Sequence, residues 1–152
     1  MTLINRLKEL GITLPEVAKP VAAYVPAVRS GNLVYVSGQL PFANGSLLAM
    51  GAVPEFCSVE SAQAAARQCL LNGIAAAASV AGGPDNLGRL IQVSGFVQSA
   101  QGFAQQPAVI NGASELALEI FGDAGKHARA AVGVSSLPLN ASVEIAFIFE
   151  VK

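Results

Sequence analysis

Apolar positions along the chain recur with two periods, near 3.6 and near 2, and the changes of period mark the elements. Leu3, Leu7 and Leu10 share one side of a short helix over Leu3–Leu10, which Gly11 stops. Residues 13–20 carry Pro15 and Pro20 and read as an irregular connector. Val21–Val28 and Leu33–Leu40 read as paired strands around a tight turn at Ser30-Gly31-Asn32. Pro26 demotes the first of them to a sheet edge or a bulge. Asn44-Gly45 marks a second turn, so the chain opens as a meander of three short strands.

Ser58–Ala81 predicts the long helix, with Ser58 at the N-cap and Glu60 in the first turn. Its stripe runs Val59, Ala62, Ala66, Cys69, Leu70, Gly73, Ala77, Val80, mostly small residues that allow close approach to a sheet. Gly82-Gly83-Pro84 ends it. Asn86–Gln98 alternates as a strand. A second helix opens at Gln106-Pro107, buries Val109, Ile110, Ala113, Leu116, Ala117, Ile120 and Phe121, and stops at Gly122. Residues 123–128 read as a polar loop, Ala130–Ser136 as a strand, and Val143–Val151 as the clearest strand of all. The order β-β-β-α-β-α-β-β, plus the short N-terminal helix, predicts an α+β fold. It is a mixed sheet with both helices on one face.

Composition changes this picture in one respect. Of the 152 residues, 53% are hydrophobic and only 12% charged, about half the usual quarter. That excludes a disordered chain. Net charge is −1 with no basic block, which removes the electrostatic basis for binding nucleic acid or an anionic membrane. The most apolar stretch, Ser61–Gly83, is broken by Arg67, Gln68 and Asn72 and does not read as a membrane span. With so few charges to cover its surface, the chain is expected to bury the open sheet face against copies of itself. A single domain over residues 1–152 is the expectation at this length.

Chemistry-bearing patterns are sparse. GxSxG, the P-loop, GxGxxG after a strand and HExxH are all missing. Cys57 and Cys69, twelve apart, match no zinc spacing and read as buried small hydrophobes in a reducing, cytoplasmic setting. His127, the only histidine, reads as a solvated loop residue rather than part of a triad with Asp85 or Asp123. Two charges stand out on apolar strands, Arg129 and Glu144. Their strands are joined by a short turn and are expected to pair antiparallel, with the two side chains near one pocket. Either they pair with each other or sit exposed at strand ends, or Arg129 forks a substrate carboxylate while Glu144 handles a proton or water.

The segment YVPAVRSGNLVYVSGQLP at residues 24–41, with RAAVGVSSLP at 129–138 and VEI at 143–145, resembles the two signatures of the Rid family. That family is also called YjgF-type or endoribonuclease L-PSP. The resemblance implies a chorismate-mutase-like fold with a six-stranded mixed sheet, and a homotrimer with sites in the clefts between subunits. It implies hydrolysis of reactive enamines and imines of the 2-aminoacrylate type to 2-oxo acids and ammonia, without cofactor or metal. Carried over by position, Arg129 grips the substrate carboxylate and Glu144 orients water. Tyr24, Ser37, Gly38, Gln39 and Asn111 line the substrate. Ala131 stands where the archetypal deaminases often carry a cysteine, and the chain is longer around residues 50–55. The alternative is a non-catalytic trimer of the same fold that binds small carboxylates. Ribonuclease activity is disfavoured by the charge, and chorismate mutase activity would rest on fold analogy alone.

Overall fold

A computed structural model describes residues 1–17 and 23–152. In chain order the elements are α1 (Leu3–Glu9), β1 (Ala27–Ser30), β2 (Leu33–Gln39), β3 (Phe42–Ala43), β4 (Ser46–Leu47) and α2 (Val59–Ala81). They continue with β5 (Leu87–Gln98), α3 (Gln106–Phe121), β6 (Ala128–Val134) and β7 (Val143–Val151). The expected α+β fold is present. The expected start of the first strand at Val21 and the end of the connector lie outside the described residues.

Local chemistry explains most boundaries. The Ser58 hydroxyl accepts a hydrogen bond from Ser61 N at 3.1 Å and caps α2. Gly82, at φ +85°, closes the same helix in the left-handed region. β1 begins directly after Pro26 and lies at the sheet edge, where a missing N–H is tolerated.

Five strands form one sheet in the order β1-β2-β7-β5-β6. Only the β5–β6 pair is parallel; the other three are antiparallel. Two expectations are corrected here. The main sheet has five strands rather than six, because the Asn44-Gly45 hairpin folds β3 and β4 into a separate two-stranded ribbon. The ladder between β2 and β7 shifts register between Val36 and Gln39, where the chain leaves the sheet. In addition, β6 and β7 do not pair. Both flank β5, on opposite sides. β7 buries Val143, Ile145, Phe147, Phe149 and Val151 and takes a central place; β6, largely exposed, takes the edge.

Both helices cover the face that carries Val34, Val36, Val93, Phe147 and Phe149. A Cβ at Gly73 of α2 would lie 2.5 Å from the Phe147 ring, so this contact requires glycine. The opposite face presents Val28, Tyr35 and Val132 as exposed apolar residues, with half-buried Ala146 and Ile148 between them. No helix among the described residues is long and apolar enough to cross a membrane.

Candidate functional site

The singled-out residues fall into two groups. The first gathers where β2 loses its register. Ser37 Oγ donates to the Val25 carbonyl at 2.7 Å, and Ser37 N donates to the Pro26 carbonyl at 2.9 Å. Gln39 Nε2 donates to the Ser37 carbonyl at 2.9 Å. The polar side chains of Ser37 and Gln39 are therefore engaged in bracing their own segment. Between them, Gly38 presses against Glu144: a Cβ at residue 38 would sit 2.8 Å from Glu144 Oε2. Glycine is the residue that leaves the carboxyl its place.

Glu144 is half-buried on the open face of the sheet and enters no ion pair among the described residues. Burial pushes its carboxyl pKa above the ordinary carboxylate range. Gly38 also lines a cleft of about 840 Å³, together with Tyr24, Pro26, Gln39, Leu40, Asn72 and Leu139 among others. Tyr24 is 63% exposed there. Asn72 Nδ2 donates to the carbonyls of Leu40 and Phe42 at 3.0 and 3.1 Å, fixing this wall to α2.

The second group lies at the β6 edge. Arg129 stands opposite Val93, which stands opposite Phe147, so Arg129 belongs to the helix-covered face. Glu144 stands opposite Phe96, three residues from that row, and its side chain points to the other face. Two strand spacings and three residues separate their Cα atoms by about 14 Å. One copy of the chain therefore does not bring Arg129 and Glu144 into one pocket, and the expected shared pocket within one chain is corrected. The same register excludes the simple reading that the two pair with each other.

Arg129 Nη1 donates to Asn111 Oδ1 at 2.7 Å and to Ser114 Oγ at 3.2 Å, both on α3. Neither acceptor is charged, and no carboxylate among the described residues lies within 4.0 Å of the guanidinium. Both hydrogens of Nη1 are taken up, which leaves the Nε and Nη2 donors for an incoming group. Arg129 is exposed, and its uncompensated positive charge faces outward. Asn111, proposed on position alone, is thus in direct contact with it.

Sequence reasoning missed two residues. His127 is not a solvated loop residue: it is half-buried, with Nε2 2.9 Å from Ser114 Oγ and Nδ1 2.6 Å from the Gly125 carbonyl. The signal was available in the spacing. Ser114 lies three residues after Asn111 on a helix, and His127 two before Arg129, so each shares a face with its neighbour. The two aspartates considered as triad partners are engaged elsewhere, Asp85 with Ile4 N at 2.9 Å and Asp123 with Lys126 at 3.0 Å. Both cysteines are buried as expected, and burial pushes the Cys69 thiol far up. No cluster of three His, Cys, Asp or Glu side chains exists among the described residues.

Fold and edge chemistry together define a class: a chorismate-mutase-like α+β protein with an exposed arginine held by neutral partners. Residues 4–151 match the YjgF/chorismate mutase-like family, and the chain belongs to that family, the Rid or L-PSP group. It is 48% identical to the protein Atu1372 of Agrobacterium tumefaciens, of unknown function, with TM-score 0.87 over 99% of this chain and 92% of that one. It is 40% identical to Protein TCP17 of Trypanosoma cruzi over 96% of this chain and 92% of that protein. The Escherichia coli protein TdcF, solved with bound serine, is 26% identical. Its TM-score is 0.65, over 89% of this chain and 93% of that one.

Proposed function

We propose that the protein is an enamine/imine deaminase that hydrolyses small amino-acid-derived intermediates of the 2-aminoacrylate type to 2-oxo acids and ammonia. The observation that carries this reading is Arg129, an exposed cation whose only partners among the described residues are the neutral Asn111 and Ser114. Such a guanidinium offers a planar fork to a carboxylate and loses no existing ion pair by binding it. Serine bound to TdcF is an amino acid of the size this reading requires.

Arg129 and Glu144 serve one substrate only if they come from different copies. The reading therefore includes a homotrimer, in which Arg129 of one subunit faces the Tyr24–Gly38–Glu144 region of the next. The open apolar sheet face is where the copies meet. In the reaction, the enamine first tautomerises to the imine, its terminal carbon gaining a proton as nitrogen loses one. Water oxygen then bonds to the imine carbon and one water proton passes to nitrogen. The resulting carbinolamine gives its hydroxyl proton to the amino nitrogen as the C–N bond breaks, releasing ammonia and leaving the ketone. Glu144 accepts the water proton and returns it to nitrogen, and a raised pKa brings its carboxyl nearer to neutrality for both steps. Backbone groups at Gly38 lie beside it to orient the substrate. No step calls for a metal or cofactor. The reading places the protein in the cytoplasm, where Cys57 and Cys69 stay reduced.

A second reading, carboxylate binding without turnover, is favoured by Ala131. It follows Arg129 by two residues on β6, where archetypal deaminases often carry a thiol. One assay separates the two. A pyridoxal-phosphate-dependent serine dehydratase generates 2-aminoacrylate, and pyruvate formation is followed with and without the protein. Acceleration is expected. Unaccelerated pyruvate formation beside an active relative, together with measurable pyruvate binding, would establish the binding reading instead.

A further inference from the structure

Resting on the carboxylate-binding reading of Arg129, we propose that Ser114 and His127 are positioning residues. In this proposal they hold the guanidinium with its Nε–Nη2 edge turned outward, for side-on recognition of a substrate carboxylate. With the imidazole in its neutral form, the Gly125 carbonyl sets the direction of every hydrogen bond in the chain. The Gly125 carbonyl can only accept, so His127 carries its proton on Nδ1 and donates it there at 2.6 Å. Nε2 is then the acceptor, and the Ser114 hydroxyl donates to it at 2.9 Å. With its hydrogen so committed, Ser114 Oγ presents lone pairs to Arg129 Nη1 at 3.2 Å. Proton donation thus runs one way, from Arg129 to Ser114 to His127 to a backbone carbonyl, and each bond polarises the next.

Three features argue that this chain serves Arg129 rather than the fold. It ends on an exposed side chain, whereas the core beneath it is apolar. Asn111 engages the same nitrogen, so two helix positions one turn apart clamp one side of the guanidinium and leave the other without a partner among the described residues. And the imidazole is anchored to Gly125, whose Cα is itself packed against the Ala117 backbone of α3, so the far end of the relay is rigid. An unclamped arginine at a strand edge would sample many rotamers and lose them on binding.

Pyruvate, a stable 2-oxo acid, is the probe, titrated calorimetrically against the full-length protein and its variants. Ser114→Ala and His127→Ala are each expected to weaken pyruvate binding at least threefold, with melting temperatures close to wild type. His127→Gln, which keeps an acceptor for Ser114, is expected to recover most of the loss. In an Arg129→Lys background neither alanine change should weaken binding further, because the guanidinium they position is gone. Should His127→Ala fold poorly, Ser114→Ala carries the same test alone. If Arg129→Lys weakens binding and the alanine variants do not, the carboxylate reading stands and this proposal falls. Alanine effects that persist undiminished in the Arg129→Lys background would also overturn it. If Arg129→Lys itself leaves pyruvate binding unchanged, the carboxylate reading falls first and takes the positioning role with it.

Discussion

Arg129 and Glu144 are unusual because neither is neutralised among the described residues, and each makes a distinct prediction. Arg129→Lys keeps the charge but removes the planar fork. Carboxylate affinity should drop at least tenfold, about 1.4 kcal/mol, while the melting temperature holds, since no ion pair is broken. Titration with pyruvate beside a thermal melt reads both quantities; a destabilised variant with unchanged affinity would mark Arg129 as structural. For Glu144 the sign follows from its raised pKa. The folded state holds the proton more tightly than the unfolded one, so the contribution to stability is greatest at low pH. It is lost as pH rises from the ordinary carboxylate value through the folded one. Glu144→Gln removes this dependence. Its melting temperature should therefore gain on that of wild type as pH increases across that window, and a flat difference would contradict the burial argument. Gly38→Ala belongs with these. The three atoms nearest the new methyl all belong to the flexible Glu144 side chain, so it should displace the carboxyl and depress turnover with little change in melting.

At the scale of elements, what could be read from sequence depended on whether the signal was local. Ser58 and Gly82 bound the long helix at both ends, and Gly122 ends α3, because capping is decided within a turn. The ideal alternation of Val143–Val151 was likewise visible. Pairing was not, since alternation says which face a residue takes and nothing about its neighbour. That is why β6 and β7, adjacent in sequence, were expected side by side although β5 lies between them. The candidate site shows the same division. Arg129, Glu144 and the SGQ segment stood out because charges are scarce and the motifs are recognisable. The link from Asn111 through Arg129 and Ser114 to His127 needed the packing of α3 on β6. Close packing also yields a test. Gly73→Ala should raise local helix propensity by about 1 kcal/mol. It should nevertheless lower stability by roughly 1–3 kcal/mol net, because its Cβ would meet the Phe147 ring. A denaturant melt showing increased stability would mean that α2 can lift from the sheet at little cost.

For the whole molecule the decisive point is that the two charged residues lie on opposite faces of one sheet, about 14 Å apart at Cα. If catalysis needs both, the working unit is an assembly and each site draws Arg129 and Glu144 from different subunits. Subunit mixing tests this directly. Arg129→Lys and Glu144→Gln homo-oligomers should each be nearly inactive on 2-aminoacrylate. Co-expressed in equal amounts, they assemble at random, and a site is intact when its arginine comes from the Glu144→Gln chain and its glutamate from the Arg129→Lys chain. That combination arises in about a quarter of sites, so about a quarter of wild-type activity should return. Sites built within one chain would return none, because every chain carries one of the two lesions. Placing different affinity tags on the two chains and purifying through both in succession shows whether the mixed assemblies formed. Mixed trimers without regained activity would exclude the inter-subunit site.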